Sequence, residues 1–244
     1  MKQIYRLLPA LAAIPMVLLR VLQNRTGFDD AGLSIPGNLP GIALRVLLIG
    51  IVVFFIIAYR AQPSRRSERA ALSETFRFEG NSFAVSCAVA GSFLLFFAGV
   101  GTLVGYGSLH TVLLAPLAVT SALCLLYAVF GLYRGNTVQG IALLAPVCSL
   151  VVYLILLYRA DASNPVLAQI YMEVLAAAAL TYTALELAAF AFRDGSRRGW
   201  LTMVSLSVIL AFTAAADGGS PARAAFFVGS ALVALGFLAA TDVE

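Results

Sequence analysis

Charge is what this chain has least of. Asp, Glu, Lys and Arg make up 11% of its 244 residues, less than half of the roughly 25% usual in a soluble domain. Hydrophobic residues make up 61%, and the mean hydropathy is +0.94. No soluble fold can cover such a composition with polar surface, so that class is excluded. Lysine is nearly missing: Lys2 is the only one, and the net charge of +4 rests on arginine. The arginines sit in short links beside apolar runs. Anionic lipid headgroups at the inner face explain them there, and no nucleic acid partner is implied.

Catalytic and metal-binding material is equally sparse. The three cysteines, Cys87, Cys124 and Cys148, fall in separate apolar runs without a CxxC pair. A structural zinc site needs four N or S ligands, so they read as packing residues. The one histidine, His110, stands two residues after Ser108 in a short YGSLHT link. Two such close loop neighbours do not hold the geometry of a nucleophile and its base. No HExxH, Walker loop or GxSxG occurs, and Asp29-Asp30 lacks the spacing and distal glutamate of a calcium loop. No catalytic residue, metal or cofactor is implied.

What the chain does have is apolar length. At about 20 residues per crossing, the hydropathy pattern predicts spans at about 5–22, 41–59, 82–105, 112–133, 137–158, 168–192, 200–216 and 224–240. The fold expected is an all-α membrane protein, a single transmembrane domain of about eight helices over 1–244. The first span opens like a signal peptide, with Lys2 and Arg6 before the apolar core Leu7 to Leu19. That core ends on Arg20 without a small-x-small cleavage site, so it is expected to remain as a span kinked at Pro15. Between the second and third spans lie Arg60, Arg65, Arg66, Arg69 and Arg77. Here Ser64 is expected to cap a short amphipathic helix, with Ala70, Leu72 and Phe76 toward the membrane and the arginines toward headgroups. Gly101 and Gly105 form a GxxxG, which permits close approach of another helix.

Arginine placement predicts orientation. With the N-terminus inside, the inner links collect Lys2, Arg6, Arg60, Arg65, Arg66, Arg69, Arg77, Arg134, Arg193, Arg197 and Arg198, and the outer links only Arg25, Arg159 and Arg223. Eight spans then place both termini in the cytoplasm and the chain in a cell membrane.

The sixth span, Ala168 to Phe192, is the one apolar run with two carboxylates, Glu173 and Glu186. An ionisable group at membrane depth is costly unless it finds a partner or water. The predicted topology brings Glu173 to the outer third, level with Arg20 and Arg45 and below Asp29 and Asp30. Two readings stand side by side. One is a structural ion-pair cluster or arginines snorkelling to headgroups. The other is a site for a small anionic or zwitterionic solute, since the arginine fork suits carboxylate and phosphate. Toward the inner side, Glu186 follows Tyr182 by four residues and so shares its helix face, with Gln139 at similar depth. Pairing with Arg193 is one account of Glu186, and a proton or cation site is the other. Thirteen residues separate the two glutamates, which at about 100° per residue turns them to different sides.

The outer loop TGFDDAGLSIPGNLP, Thr26 to Pro40, resembles one in uncharacterised bacterial polytopic membrane proteins. It covers about 15 residues and implies a membrane setting but no activity. Three functions follow as expectations. The first is a solute transport or binding component, ion-coupled or served by a partner ATPase because the chain has no ATP-binding loop. The second is a structural or assembly subunit packed on another membrane protein. The third, least supported, is an intramembrane enzyme.

Overall fold

Peptide groups in a bilayer must be hydrogen-bonded within their own segment, which favours helices. The computed structural model describes residues 2–29, 33–60, 69–104, 109–136, 138–161, 167–217 and 220–241. Asp30, Arg65, Arg66 and the side chains of Arg69 and His110 lie outside the described residues. Among the described residues, eight helices are long and apolar enough to cross a membrane. They are α1 (Lys2–Thr26), α2 (Leu39–Arg60), α4 (Ser82–Val104), α5 (Leu109–Tyr133), α6 (Gly140–Asp161), α7 (Leu167–Ala191), α8 (Arg197–Ala215) and α9 (Pro221–Ala240). A one-turn helix, α3 (Leu72–Thr75), and two short strands, β1 (Arg69–Ala70) and β2 (Gly195–Ser196), complete the described elements.

Helix ends fall within four residues of the hydropathy expectation, and two of the differences have a local cause. Both α8 and α9 start three residues early because serines cap them. Ser196 Oγ accepts from the Gly199 N–H and Ser220 Oγ from the Arg223 N–H, with Pro221 in the first turn, where its missing N–H costs nothing. Helix α1 continues through both Pro9 and Pro15.

From α4 to α9 each helix packs on the next, and α9 returns to α4, so that six helices close a ring. The hairpin of α1 and α2 docks outside it on α8. Buried Phe55 and Tyr59 anchor α2, and the Tyr59 hydroxyl pairs with Ser205 Oγ at 2.9 Å. Burial ranks the helices: 67% of α8 and 61% of α9 is buried, against 17% of α2. The ring closes through glycine. A Cβ on Gly91 would stand 2.5 Å from the Gly229 carbonyl oxygen, and one on Gly236 2.7 Å from Ala88 Cβ. Close approach therefore falls at Gly91, Gly229 and Gly236. At Gly101, of the predicted GxxxG, a Cβ would meet only ordinary contact with Ala222 at 3.5 Å; Gly105 is outside the described residues. Cys87 and Cys124 are partly buried, while Cys148 is exposed on the outside of α6 and packs little.

The two ends of the ring differ. At the end carrying Trp200, residues 69–81 fold inward instead of lying along the bilayer surface. The β1–β2 pairing, Arg69 with Ser196 and Ala70 with Gly195, anchors this segment just beyond α7. Leu72 and Phe76 are consequently buried in protein, contrary to the expected membrane-facing helix. A helix of one turn buries too little to hold itself at an interface, whereas this pocket offers aromatic edges. Phe76 meets Phe190, Trp200 and Phe237 edge-on at 5.1–5.5 Å, and Phe78 meets Phe237 at 5.2 Å. Such pairs add about 0.5–1.5 kcal/mol each beyond burial. Arg77 N–H to the Ala240 carbonyl (2.8 Å) and Asn81 Nδ2 to the Ala239 carbonyl (2.9 Å) fasten the segment to the end of α9.

Replacing Gly229 by valine is expected to lower stability by about 1–3 kcal/mol or more through overpacking. Gly50→Ala, which meets no neighbouring atom, is expected to raise it by at most about 1 kcal/mol through helix propensity. Thermal unfolding of both variants in detergent checks the pair.

Candidate functional site

Polar chemistry gathers at the opposite end of the ring, around the turn between α8 and α9. Glu173, two turns into α7, is only 2% exposed. It accepts a hydrogen bond from the Tyr153 hydroxyl of α6 and a charge-assisted one of 3.1 Å from Arg223 Nη1 of α9. The capped start of α9 sets the position of Arg223, and stacking of the Tyr153 ring on Phe226 (5.1 Å, 28°) sets that of Tyr153.

A second ion pair stands behind the first. Arg20, fully buried on α1, bonds Asp217 in the turn after α8. Its Nη1 also donates to Gln23 Oε1 at 2.9 Å, and its guanidinium lies 5.0 Å from the centre of the Tyr171 ring, a cation–π arrangement. Asn24 Nδ2 donates to the Ala216 carbonyl at 3.1 Å, tying the turn to α1. Burial pushes the Asp217 carboxyl above the usual aspartate range, while Arg20, Asn24 and the field of Arg223 pull it back down. Arg223 thus acts on both carboxylates and joins the two pairs into one network. The Tyr171 hydroxyl lies near Gln23 and in the fields of Arg20, Arg45 and Asp217, but falls short of hydrogen-bond geometry among the described residues.

The residues expected to form one cluster have other partners in the structure. Arg20 binds Asp217, and Glu173 binds Arg223. Arg45 is exposed on α2, its Nε donating to its own helix at the Gly41 carbonyl (3.1 Å), with its field reaching Tyr171. Asp29 closes a loop, its carboxylate accepting from the Leu33 N–H at 2.7 Å. Sequence reasoning missed Asp217, Tyr153 and Tyr171 as participants and treated Arg223 as a link residue. DGGSPAR reads as a plain turn, and no local pattern says which helices it covers.

Near the Trp200 end, Glu186 accepts from the Ser196 N–H at 3.2 Å, and the Tyr182 hydroxyl lies close to it. The carboxylate therefore sits at the start of α8, where a helix favours negative charge. Tyr182 is exposed, and Gln139 is exposed just before α6, its carbonyl accepting from the Ala142 N–H at 3.1 Å.

The Glu173 network borders a cavity of about 230 Å³ inside the ring, lined by Thr102, Leu114, Ser149, Tyr153, Ser220 and Arg223 among others. Ala118, Ser149 and Phe226 line both this cavity and a deeper one of about 60 Å³ that reaches Trp200 and Phe237. A polar cavity and a largely apolar one thus adjoin inside the ring, sharing these three residues. Arg223 is half-exposed while its partner Glu173 is buried. A guanidinium has five N–H donors, so the Glu173 contact leaves most of its fork to face the cavity.

Comparison with family models, curated proteins and solved structures returned no match to this chain. Its function has to be argued from its own site.

Asp217→Ala is expected to destabilise the protein by about 3–5 kcal/mol, because Arg20 would remain buried and uncompensated. Arg20→Met combined with Asp217→Leu is expected to recover most of that loss. A double-mutant cycle measured by thermal unfolding checks this.

Proposed function

We propose that this multi-pass membrane protein binds a small anionic or zwitterionic solute in the cavity beside Arg223 and Tyr153, as a transport or solute-binding component of a cell membrane. The supporting observation is the half-exposed Arg223 on that cavity wall, held by a glutamate too buried to meet the solute itself. This reading moves the solute contact from Arg20, Arg45 and Glu173 to Arg223 and Tyr153, and gives Glu173 the task of positioning them. Arg20 and Arg223 balance Asp217 and Glu173, and the field of Arg45, which reaches Tyr171, adds positive potential at this end. A pre-formed apolar cavity with few polar groups is the usual form of a small-molecule site.

The arginine bias supports an orientation with both termini cytoplasmic and the Arg223 mouth outside. On this reading the polar cavity faces outside and the aromatic floor lies on the cytoplasmic side, as expected of an outward-open state in an alternating cycle. Such a cycle needs ion coupling or a partner ATPase.

The test is thermal unfolding of the purified protein against small carboxylates, phosphate and amino acids. A ligand of the folded state at a hundredfold excess over its dissociation constant stabilises by about 2.7 kcal/mol. The shift is expected in the wild type and is expected to be lost in Arg223→Ala and weakened in Tyr153→Phe. If no solute moves the wild-type transition, the paired charges are structural and the assembly-subunit reading takes over.

A further inference from the structure

The two stacked cavities carry more information than the arginine alone, because they differ in chemistry along one axis. The mouth has Arg223, Tyr153, Ser220 and Thr102. Past the shared wall of Ala118, Ser149 and Phe226, the lining turns apolar, with Leu95, Leu143, Leu180 and Val233. Two of the hydroxyl side chains there are already engaged. Ser121 Oγ donates to the Leu117 carbonyl at 2.7 Å, and Thr183 pairs with Ser207 at 2.6 Å. Among the described residues, no charged side chain lines the deep cavity. A polar or doubly charged tail would be desolvated there without compensation.

We infer that the ligand is a short-chain aliphatic monocarboxylate, its carboxylate on Arg223 and its alkyl tail passing Phe226 into the deep cavity. This rests on the anion reading above and narrows it to one substrate class. Dicarboxylates are disfavoured because the second charge would face Leu143 and Leu180. Amino acids are disfavoured because the α-ammonium would sit beside Arg223, with Glu173 behind the wall. The deep cavity sets the length. About 60 Å³ is available, and a water-sized group needs roughly 10–15 Å³ of such space, so the tail is a few carbons long. That excludes the acyl chain of a membrane fatty acid.

The experiment is a binding series on the purified full chain, read by thermal shift and calorimetry: acetate, propionate, butyrate, hexanoate, octanoate and tetradecanoate, with succinate, inorganic phosphate and butylammonium beside them. Affinity is expected to rise about fourfold per methylene from acetate toward hexanoate, and then to flatten. Butylammonium and succinate are expected not to bind measurably. In Ala184→Leu, which puts a branched side chain into the deep cavity, the hexanoate-to-acetate affinity ratio is expected to fall toward one. The wild-type series decides the matter even if that variant fails to fold. Equal affinities along the series, or binding of phosphate alone, overturn the monocarboxylate inference and leave the anion site standing. A rise that continues to tetradecanoate overturns it in favour of a lipid-derived acyl chain. If no anion binds at all, the anion site falls with it.

Discussion

A carboxylate cannot lie bare in the interior of a membrane protein, and the arrangement around Glu173 follows from that constraint. At 2% exposure its ionised form would be untenable without partners. Tyr153 and Arg223 supply them from two other helices. One buried charge thereby ties α6, α7 and α9 together at one end of the ring. It also holds two polar side chains on the cavity wall. Arg20 and Asp217 do the same for α1 and the α8–α9 turn, so the outer hairpin is fastened at the same level as the ring. Buried pairs are seldom worth more to stability than apolar packing of equal volume. Their value here is in orientation.

The opposite end is closed by other means. Aromatic edges and backbone hydrogen bonds seal it, with Phe76 inserted among Phe190, Trp200 and Phe237. Between the ends, α4 and α9 are drawn together at Gly91, Gly229 and Gly236, where small residues let backbones touch. Lipid gives no hydrophobic drive for helices to associate, so close packing and interhelical hydrogen bonds must supply it. A tight seam, an apolar floor and a polar mouth together give the ring a direction, and the proposed function depends on that direction.

Much of the fold was legible in the chain itself. Composition and hydropathy require a helical membrane protein, because only internally bonded helices of about 20 apolar residues satisfy both the peptide groups and the lipid. Eight spans followed, with ends displaced by no more than four residues, among them the starts of α8 and α9 that Ser196 and Ser220 cap. The scarcity of charge also singled out Glu173 and Arg20, since any ionisable group in such a chain must be accounted for.

Who pairs with whom was not in the sequence. Arg20 and Asp217 are 197 positions apart and Glu173 and Arg223 are 50 apart, and depth alone cannot rank such partners. Only the order in which six helices close into a ring decides which turn covers which helix. Likewise Leu72 and Phe76 have the pattern of an interfacial helix, yet tertiary packing takes them inside because the ring leaves an aromatic pocket there. Local periodicity determines what each segment can be. The pairing of distant charges, the cavity beside them and the difference between the two ends depend on packing geometry, which no single segment encodes.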